Sequence, residues 1–279
     1  MTGLERFSLN QATVRRADLA TAVRVTVDAG IPAIGLWREP VQAHGIDAAA
    51  RLVRDAGLRV SSLCRGGFFT MPEGPDRRDA IDDNRRAIDE AATLGAPTLV
   101  LVAGGLPAGS RDLAGARARV ADALAELAPH AQDAGLSLAI EALHPMYASD
   151  RAVVSTLEQA LDLAGPFDAA VVGVVIDTFH LWWDPALVQQ IARAGREGRI
   201  ASYQVCDWVT PIAADPLLSR GIPGDGDIDF AAFTALVRAA GYDGDVECEV
   251  FRQEVWDADP AEVARRSAAA YRELVAPHL

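Results

Sequence analysis

The sequence predicts one α/β domain spanning residues 1–279, a closed (β/α)8 barrel of the TIM type, and three observations carry that prediction. Eight short apolar or β-branched runs alternate with longer Ala-, Arg- and Glu-rich stretches of helical periodicity. The repeat averages about 35 residues, close to what a barrel of ~250 residues plus loop insertions requires. No Ser/Gly linker or break in composition divides the chain.

In chain order the expected strands are 6–10, 33–37, 58–64, 98–103, 136–141, 171–177, 200–206 and 245–251. The expected helices lie near 17–29, 46–56, 79–94, 111–134, 155–164, 186–195, 230–240 and 260–276. Start and stop residues fall where helix ends need them. Asp18 and Asp229 stand where an N-cap would accept backbone N–H bonds, and Pro185 opens the sixth helix. Gly30, Gly57, Gly95, Gly135 and Gly241 follow helix ends, where a left-handed residue is needed. A doubly wound open sheet would show the same alternation, but its phosphate-binding signals are missing. Neither GxGxxG nor GxxxxGK[ST] occurs, and Gly224-Asp225-Gly226 follows a proline in a loop instead of opening a helix.

Composition removes several classes of function. A formal net charge of −13 gives no clustered basic surface for a phosphate backbone, so no nucleic acid partner is expected. No apolar run nears the roughly 20 residues that span a bilayer, and the stretch from Met1 to Asn10 lacks a basic region followed by an apolar one. A cytoplasmic location is the resulting expectation. Cys64, Cys206 and Cys248 are odd in number and show no CxxC spacing, so they read as reduced core residues.

A parallel barrel displays the C-terminal ends of all its strands around one mouth, so distant positions can converge there. Strand five ends in Glu141 and strand six in Asp177; strand seven carries Gln204 and Asp207, and strand eight carries Glu247 and Glu249. Any one of these would ordinarily be a helix cap or a solvated strand end. Four polar endings on consecutive strands are harder to place that way. Carboxylates facing one mouth repel one another, whereas a divalent cation wants such an oxygen-rich shell. Glu141, Asp177, Gln204 and Glu249 are therefore the candidate ligands of one divalent metal ion, with Mn²⁺ preferred and Mg²⁺, Co²⁺ or Zn²⁺ as alternatives. Glu249 is preferred to Glu247 because it lies nearer the C-terminal end of its strand, although residues two apart share a face.

His144 and His180 follow the same strand ends and are candidates to orient a hydroxyl or move a proton. Glu141, Glu249, His144 and His180 form the candidate catalytic set. Arg38, Arg65 and Arg252 follow strands two, three and eight and could bind an anionic or keto oxygen, with structural ion pairing as their alternative role. Together with Trp182 and Asp207 they complete the candidate substrate-binding set. Trp37, Trp183 and Trp208 also follow strand ends, where flat rings stack on sugar faces. Gly66-Gly67 reads as a flexible turn leading to an apolar flap, Phe68-Phe69; Asn10 and Gly104-Gly105 are further rim candidates.

The stretches IEALHP around Glu141, VIDTFHLWW around Asp177 and His180, YQVCDW around Gln204 and Asp207, and GDGDIDF followed by GYDGDVECEVF resemble the sugar phosphate isomerase/epimerase superfamily. Its xylose isomerase-like barrels include inosose dehydratases, ketose 3-epimerases and 3-dehydroshikimate dehydratases, and the likeness runs over nearly the whole chain. The resemblance implies metal ligands of Glu, Asp, usually His, and Glu, which fall on Glu141, Asp177, Gln204 and Glu249. Gln204 is the departure. It further implies that the two Glu ligands act as acid and base in epimerases, that the residue at His180 contacts substrate, and that a homo-oligomer or a small partner subunit is compatible with the chain. The expected activity is isomerisation or epimerisation of a sugar or cyclitol-like ketone, a small polyhydroxylated carbonyl substrate, through a metal-stabilised enediolate. The alternative is a lyase: a 3-dehydroshikimate- or inosose-type dehydratase, or a subunit cleaving 3-keto C-glycosides. A DNA-cleaving branch of the superfamily resembles a three-metal site rich in extra His, which five histidines in an acidic chain do not supply. A non-catalytic barrel serving as a binding subunit is the remaining class.

Overall fold

The first strand, β1 (Phe7–Asn10), pairs in parallel with β2 (Ala33–Trp37) on one side and with β10 (Val246–Cys248) on the other, and this double pairing closes the sheet. From β2 the ring continues through β3 (Arg59–Gly67), β4 (Thr98–Val102), β5 (Ser137–Glu141), β6 (Val172–Asp177) and β7 (Ile200–Val205) back to β10. This is the expected eight-stranded parallel barrel, here in a computed structural model. It describes residues 3–279; Met1 and Thr2, where the reading of the N-terminus starts, lie outside the described residues. A separate antiparallel ribbon joins β8 (Asp207–Trp208) to β9 (Arg220–Gly221).

The helices are α1 (Leu19–Asp28), α2 (Arg38–His44), α3 (Ile46–Asp55), α4 (Pro75–Leu94), α5 (Leu113–Ala134), α6 (Leu157–Ala164), α7 (Thr178–Leu181), α8 (Leu187–Arg196), α9 (Phe230–Ala239), α10 (Gln253–Asp257) and α11 (Pro260–Ala270). Asp18 and Asp229 cap α1 and α9 by accepting the N–H groups of Thr21 and Ala232, and the five expected glycine stops all have positive φ. The departures from expectation are of three kinds. Helix α4 starts at Pro75, a proline in the first turn where its missing N–H is harmless. The last helix leaves α geometry at Tyr271 for a π turn. The short helices α2 and α7 begin directly at strand ends and α10 follows β10 after a short loop; α7 and α10 hold only four and five residues, too few to show a period.

Strand side chains alternate between two environments. Outward residues such as Leu138, Ile140, Val174 and Ile176 pack with the inner faces of the helices into the main core. Inside the ring, Cys64, Val100, Ala139 and Val175 form a small apolar plug. Two residues beyond Ala139 and Val175, on the same inward face, come Glu141 and Asp177. All three cysteines are buried and free, as expected. Among the described residues no helix is long and apolar enough to cross a membrane.

Candidate functional site

The strand ends bring the acidic residues to one floor. Glu141 and Asp177 end β5 and β6, Gln204 pairs with Asp177 in register, and Glu249 follows β10 directly. Ligand atoms of Glu141, Asp177 and His180 all lie within 4.8 Å of one another, and all three side chains are buried. His180 is placed by α7, which Asp177 caps by accepting its backbone N–H at 3.2 Å. The backbone N–H of His144 donates to His180 Nδ1 at 3.1 Å, so Nε2 faces the floor, 3.7 Å from Glu141 Oε1. Above the floor opens a cleft of about 360 Å³ walled by Trp37, Arg65, Phe68, Arg151 and Phe251.

A residue absent from the sequence-derived set holds the centre. Arg220 is buried, with Nη1 donating to Glu249 Oε2 at 2.8 Å and to Asp177 Oδ2 at 3.4 Å, and Nη2 2.8 Å from His180 Nε2. Its guanidinium lies between the rings of Phe179 and Phe251, at 5.0 and 5.2 Å from their centres. The β8–β9 ribbon places it, and Asp207 braces that ribbon. The Asp207 carboxylate accepts the N–H groups of Trp208, Gly224, Gly226 and Ile228 at 2.8–3.0 Å. A Cβ at Gly226 would stand 2.1 Å from the Trp208 carbonyl oxygen, so the fold of this loop requires glycine there. Arg220 stands at the head of RGIPGDGDIDF, a stretch that contains no strand end of the barrel; a cation directly before a Gly-rich loop is the signal that the sequence offers for it.

Burial sets the electrostatics. It pushes the Glu141 carboxyl well up, an effect reinforced by Asp177 and Glu249 and eased by Arg220. Burial also raises Asp177, against the opposing pull of Arg220 and of the His180 and Phe179 backbone amides. Glu249 is pushed up to about 7 by burial, with Arg220 pulling it down and Asp177 adding to the rise. Burial and then the Arg220 charge hold His180 well below the usual histidine range, so it is a neutral imidazole. Burial disfavours the Arg220 charge, but Cys206, Asp177, Glu249 and Glu141 around it keep the guanidinium protonated.

The remaining expected residues divide. Arg65 reaches the cleft, its guanidinium over Phe68 at 4.5 Å and Trp37 at 5.9 Å. Arg38 does not: it turns into an ion-pair cluster with Asp83 (2.7 Å) and Glu90 (2.6 Å), the structural role that an acid-rich chain offers it. Arg252 turns to Glu254 at 3.0 Å, and Asp207 is wholly used by its loop. The His144 ring stacks near Trp183 and Trp208, away from the carboxylates, and only its backbone serves the floor. Trp182 packs on Trp208 at 5.6 Å instead of lining the cleft. Gly66 and Gly67 are not a loose turn. They extend β3 against β4, and Asn84 grips Gly67 by both N–H and C=O. Phe68 stands exposed at the rim with φ 63° while Phe69 is buried in the core, so the flap contributes one ring to the mouth.

With this geometry in view, comparison with known proteins gives consistent results. The family model described as xylose isomerase-like TIM barrel matches residues 23–274. The solved structure of protein SMc04130 from Sinorhizobium meliloti 1021 superposes with a TM-score of 0.94 at 48% identity, covering 98% of this chain and 99% of that one. A 3-dehydroshikimate dehydratase of Pseudomonas putida is 33% identical over 187 residues, which is 63% of this chain but 27% of that protein, so the chain matches only about a quarter of that relative's length. An inosose isomerase of Bacillus velezensis is 26% identical over 221 residues, covering 78% of this chain and 76% of that protein.

Proposed function

We propose that this chain, which belongs to the xylose isomerase-like TIM barrel family, is a divalent-metal-dependent isomerase or epimerase of a sugar or cyclitol-like ketone. The observation that carries the reading is the pair Glu141 and Glu249. Both are buried carboxyls pushed upward in pKa, and they line one cleft over Asp177, His180 and Arg220. Such groups are suited to taking and returning a proton near neutral pH.

The donor set fits a metal. Gln204 Oε1 and Glu249 Oε1 are buried oxygens with no hydrogen-bond partner, a costly state that a cation relieves. Glu141, Asp177, Gln204 and Glu249 would hold the ion, with His180 close beside them. An all-oxygen set suits Mn²⁺, Mg²⁺ or Co²⁺, and Mn²⁺ is the first to try. When bound, the ion supplies polarisation of a substrate carbonyl, which lowers the cost of removing the neighbouring C–H proton.

The chain's own groups supply the rest. Glu249 takes the proton from carbon, and Glu141 across the floor returns one. Arg220, fixed between two rings and charged, stabilises negative charge growing on the substrate oxygen. His180, its ring held by the His144 backbone N–H, stands beside Arg220 at the floor. Trp37, Phe68 and Phe251 give the cleft an apolar wall that packs on a ring face and keeps water out. A lyase is the second reading, favoured by the 33% identity to a 3-dehydroshikimate dehydratase. It shares the first proton abstraction and then expels a β-hydroxyl. Incubation of Mn²⁺-loaded protein with ketoses, inososes and 3-dehydroshikimate in D₂O separates the two. Deuterium incorporation at carbon without new ultraviolet absorbance supports the isomerase, and a conjugated enone or aromatic chromophore supports the lyase. A metal-loaded protein that does neither across the panel refutes both.

A further inference from the structure

One buried carboxyl lies outside this chemistry. Glu247 sits inside the barrel one pleat below Glu249, wholly enclosed, and four donors converge on it. Asn10 Nδ2 and Gln204 Nε2 donate to its Oε1 at 2.6 and 3.3 Å, and the hydroxyls of Ser61 and Ser62 donate to its Oε2 at 2.5 and 2.8 Å. The space for this carboxylate exists because residue 35 is glycine. A Cβ there would stand 2.5 Å from the Glu247 carboxyl carbon.

Gln204 is where this floor carries an amide in place of the imidazole that the resemblance implies, and the two ends of an amide differ in kind. One end of it is a ligand and the other a double hydrogen donor, and a half-turn about its last bond exchanges them. Here one end faces Glu247, an acceptor already occupied by Asn10 and two serines. A carbonyl turned toward that carboxylate would meet like charge and forfeit a hydrogen bond, so the NH₂ must face Glu247. The carbonyl oxygen is then left buried and unpartnered on the other side.

We infer that Glu247 is the positioning residue of the metal site: from beneath, it locks the Gln204 amide so that its carbonyl oxygen faces the ion. The inference rests on the metal reading of the floor above. It makes the Asn10, Ser61, Ser62 and Gly35 cluster a support for one ligand and not merely a way to solvate a buried acid. Outer groups of this kind change metal affinity by about 10- to 100-fold when removed.

The test is Mn²⁺ affinity, read from the electron paramagnetic resonance of free Mn²⁺, with circular dichroism of each metal-free variant as the fold control. Glu247→Gln, whose amide can donate to Gln204 Oε1 and so turn it away, is expected to weaken binding by about 10- to 100-fold. Gln204→Ala should lose a similar factor, and the double variant should be no weaker than Gln204→Ala alone. Gly35→Ala keeps every polar group but crowds the carboxylate, and should also weaken binding. It carries the test if Glu247→Gln does not fold. Parent-like affinity in Glu247→Gln, or in Gly35→Ala where that variant stands in for it, overturns the inference and leaves the metal reading intact. Parent-like affinity in Gln204→Ala also overturns it. A folded parent that binds no Mn²⁺ overturns the metal reading itself, and this inference with it.

Discussion

Replacing Glu249 by Gln in the metal-free protein should reverse part of the pH dependence of stability. The folded protein holds this carboxyl at about 7, against 4.5 for the unperturbed group. A folded-state pKa raised above the unfolded one contributes stability that is fully present below about 4.5 and is lost as pH climbs through 7. Between pH 5 and 8 the loss integrates to about 2–3 kcal/mol, at about 1.4 kcal/mol per pKa unit. The amide cannot ionise, so the variant escapes that loss. For a chain of this size 1 kcal/mol moves the melting temperature by about 2 °C, so the melting temperature of Glu249→Gln minus that of the parent should rise by about 5 °C from pH 5 to pH 8. The assay is a pair of circular dichroism melts in EDTA across that range. Any constant offset from the changed Arg220 contact cancels in the slope. Excess Mn²⁺ should flatten the parent's share of the slope, since a bound cation keeps the carboxylate ionised. A difference that stays flat in EDTA would refute the assignment of a raised, titrating Glu249.

Arg220→Ala leaves Asp177 and Glu249 without their buried cation and should cost the metal-free protein about 3–5 kcal/mol at pH 8 in urea titrations, with little turnover remaining. Arg38→Met breaks an ion pair that is only partly buried; a stability loss of about 2 kcal/mol with kcat/KM within about threefold of the parent is expected, and a large kinetic defect would return Arg38 to the substrate set. Asp207→Ala strands four backbone N–H groups and frees the ribbon that carries Arg220. It should cost about 3 kcal/mol in urea and lower kcat although Asp207 lines no part of the cleft.

Strand positions were legible because alternation and strand-end polarity both derive from a closed parallel ring. Glu141, Asp177, Gln204 and Glu249 converge for the reason that made them visible: each occupies a strand end or the residue beside one. Glu249 lines the cleft and Glu247 lies beneath it, in keeping with their order along the strand. Residues just past a strand end were much less legible. Arg38, Arg252 and Asp207 all stand where the mouth should be, yet their side chains turn to partners set by packing: helix α4, a neighbouring glutamate and a glycine loop. Arg220 was invisible for the opposite reason. It reaches the floor from a two-residue ribbon 43 positions after Asp177, and no local period announces it.

Barrel closure between β1 and β10 also makes the site a record of folding. Asn10 and Glu247, 237 residues apart in sequence, touch only when the first strand meets the last. The pairing of β10 with β7 sets Glu247 beside Gln204 and brings Glu249 to the floor. A chain that has paired only β2 to β7 still lacks Asn10, Glu247 and Glu249 at the floor. Contacts of such long range form late, because their loop entropy must be met first. On the proposed metal site, affinity would count closed rings and not merely compact chains, and partly assembled molecules in a preparation would be silent in the same assay.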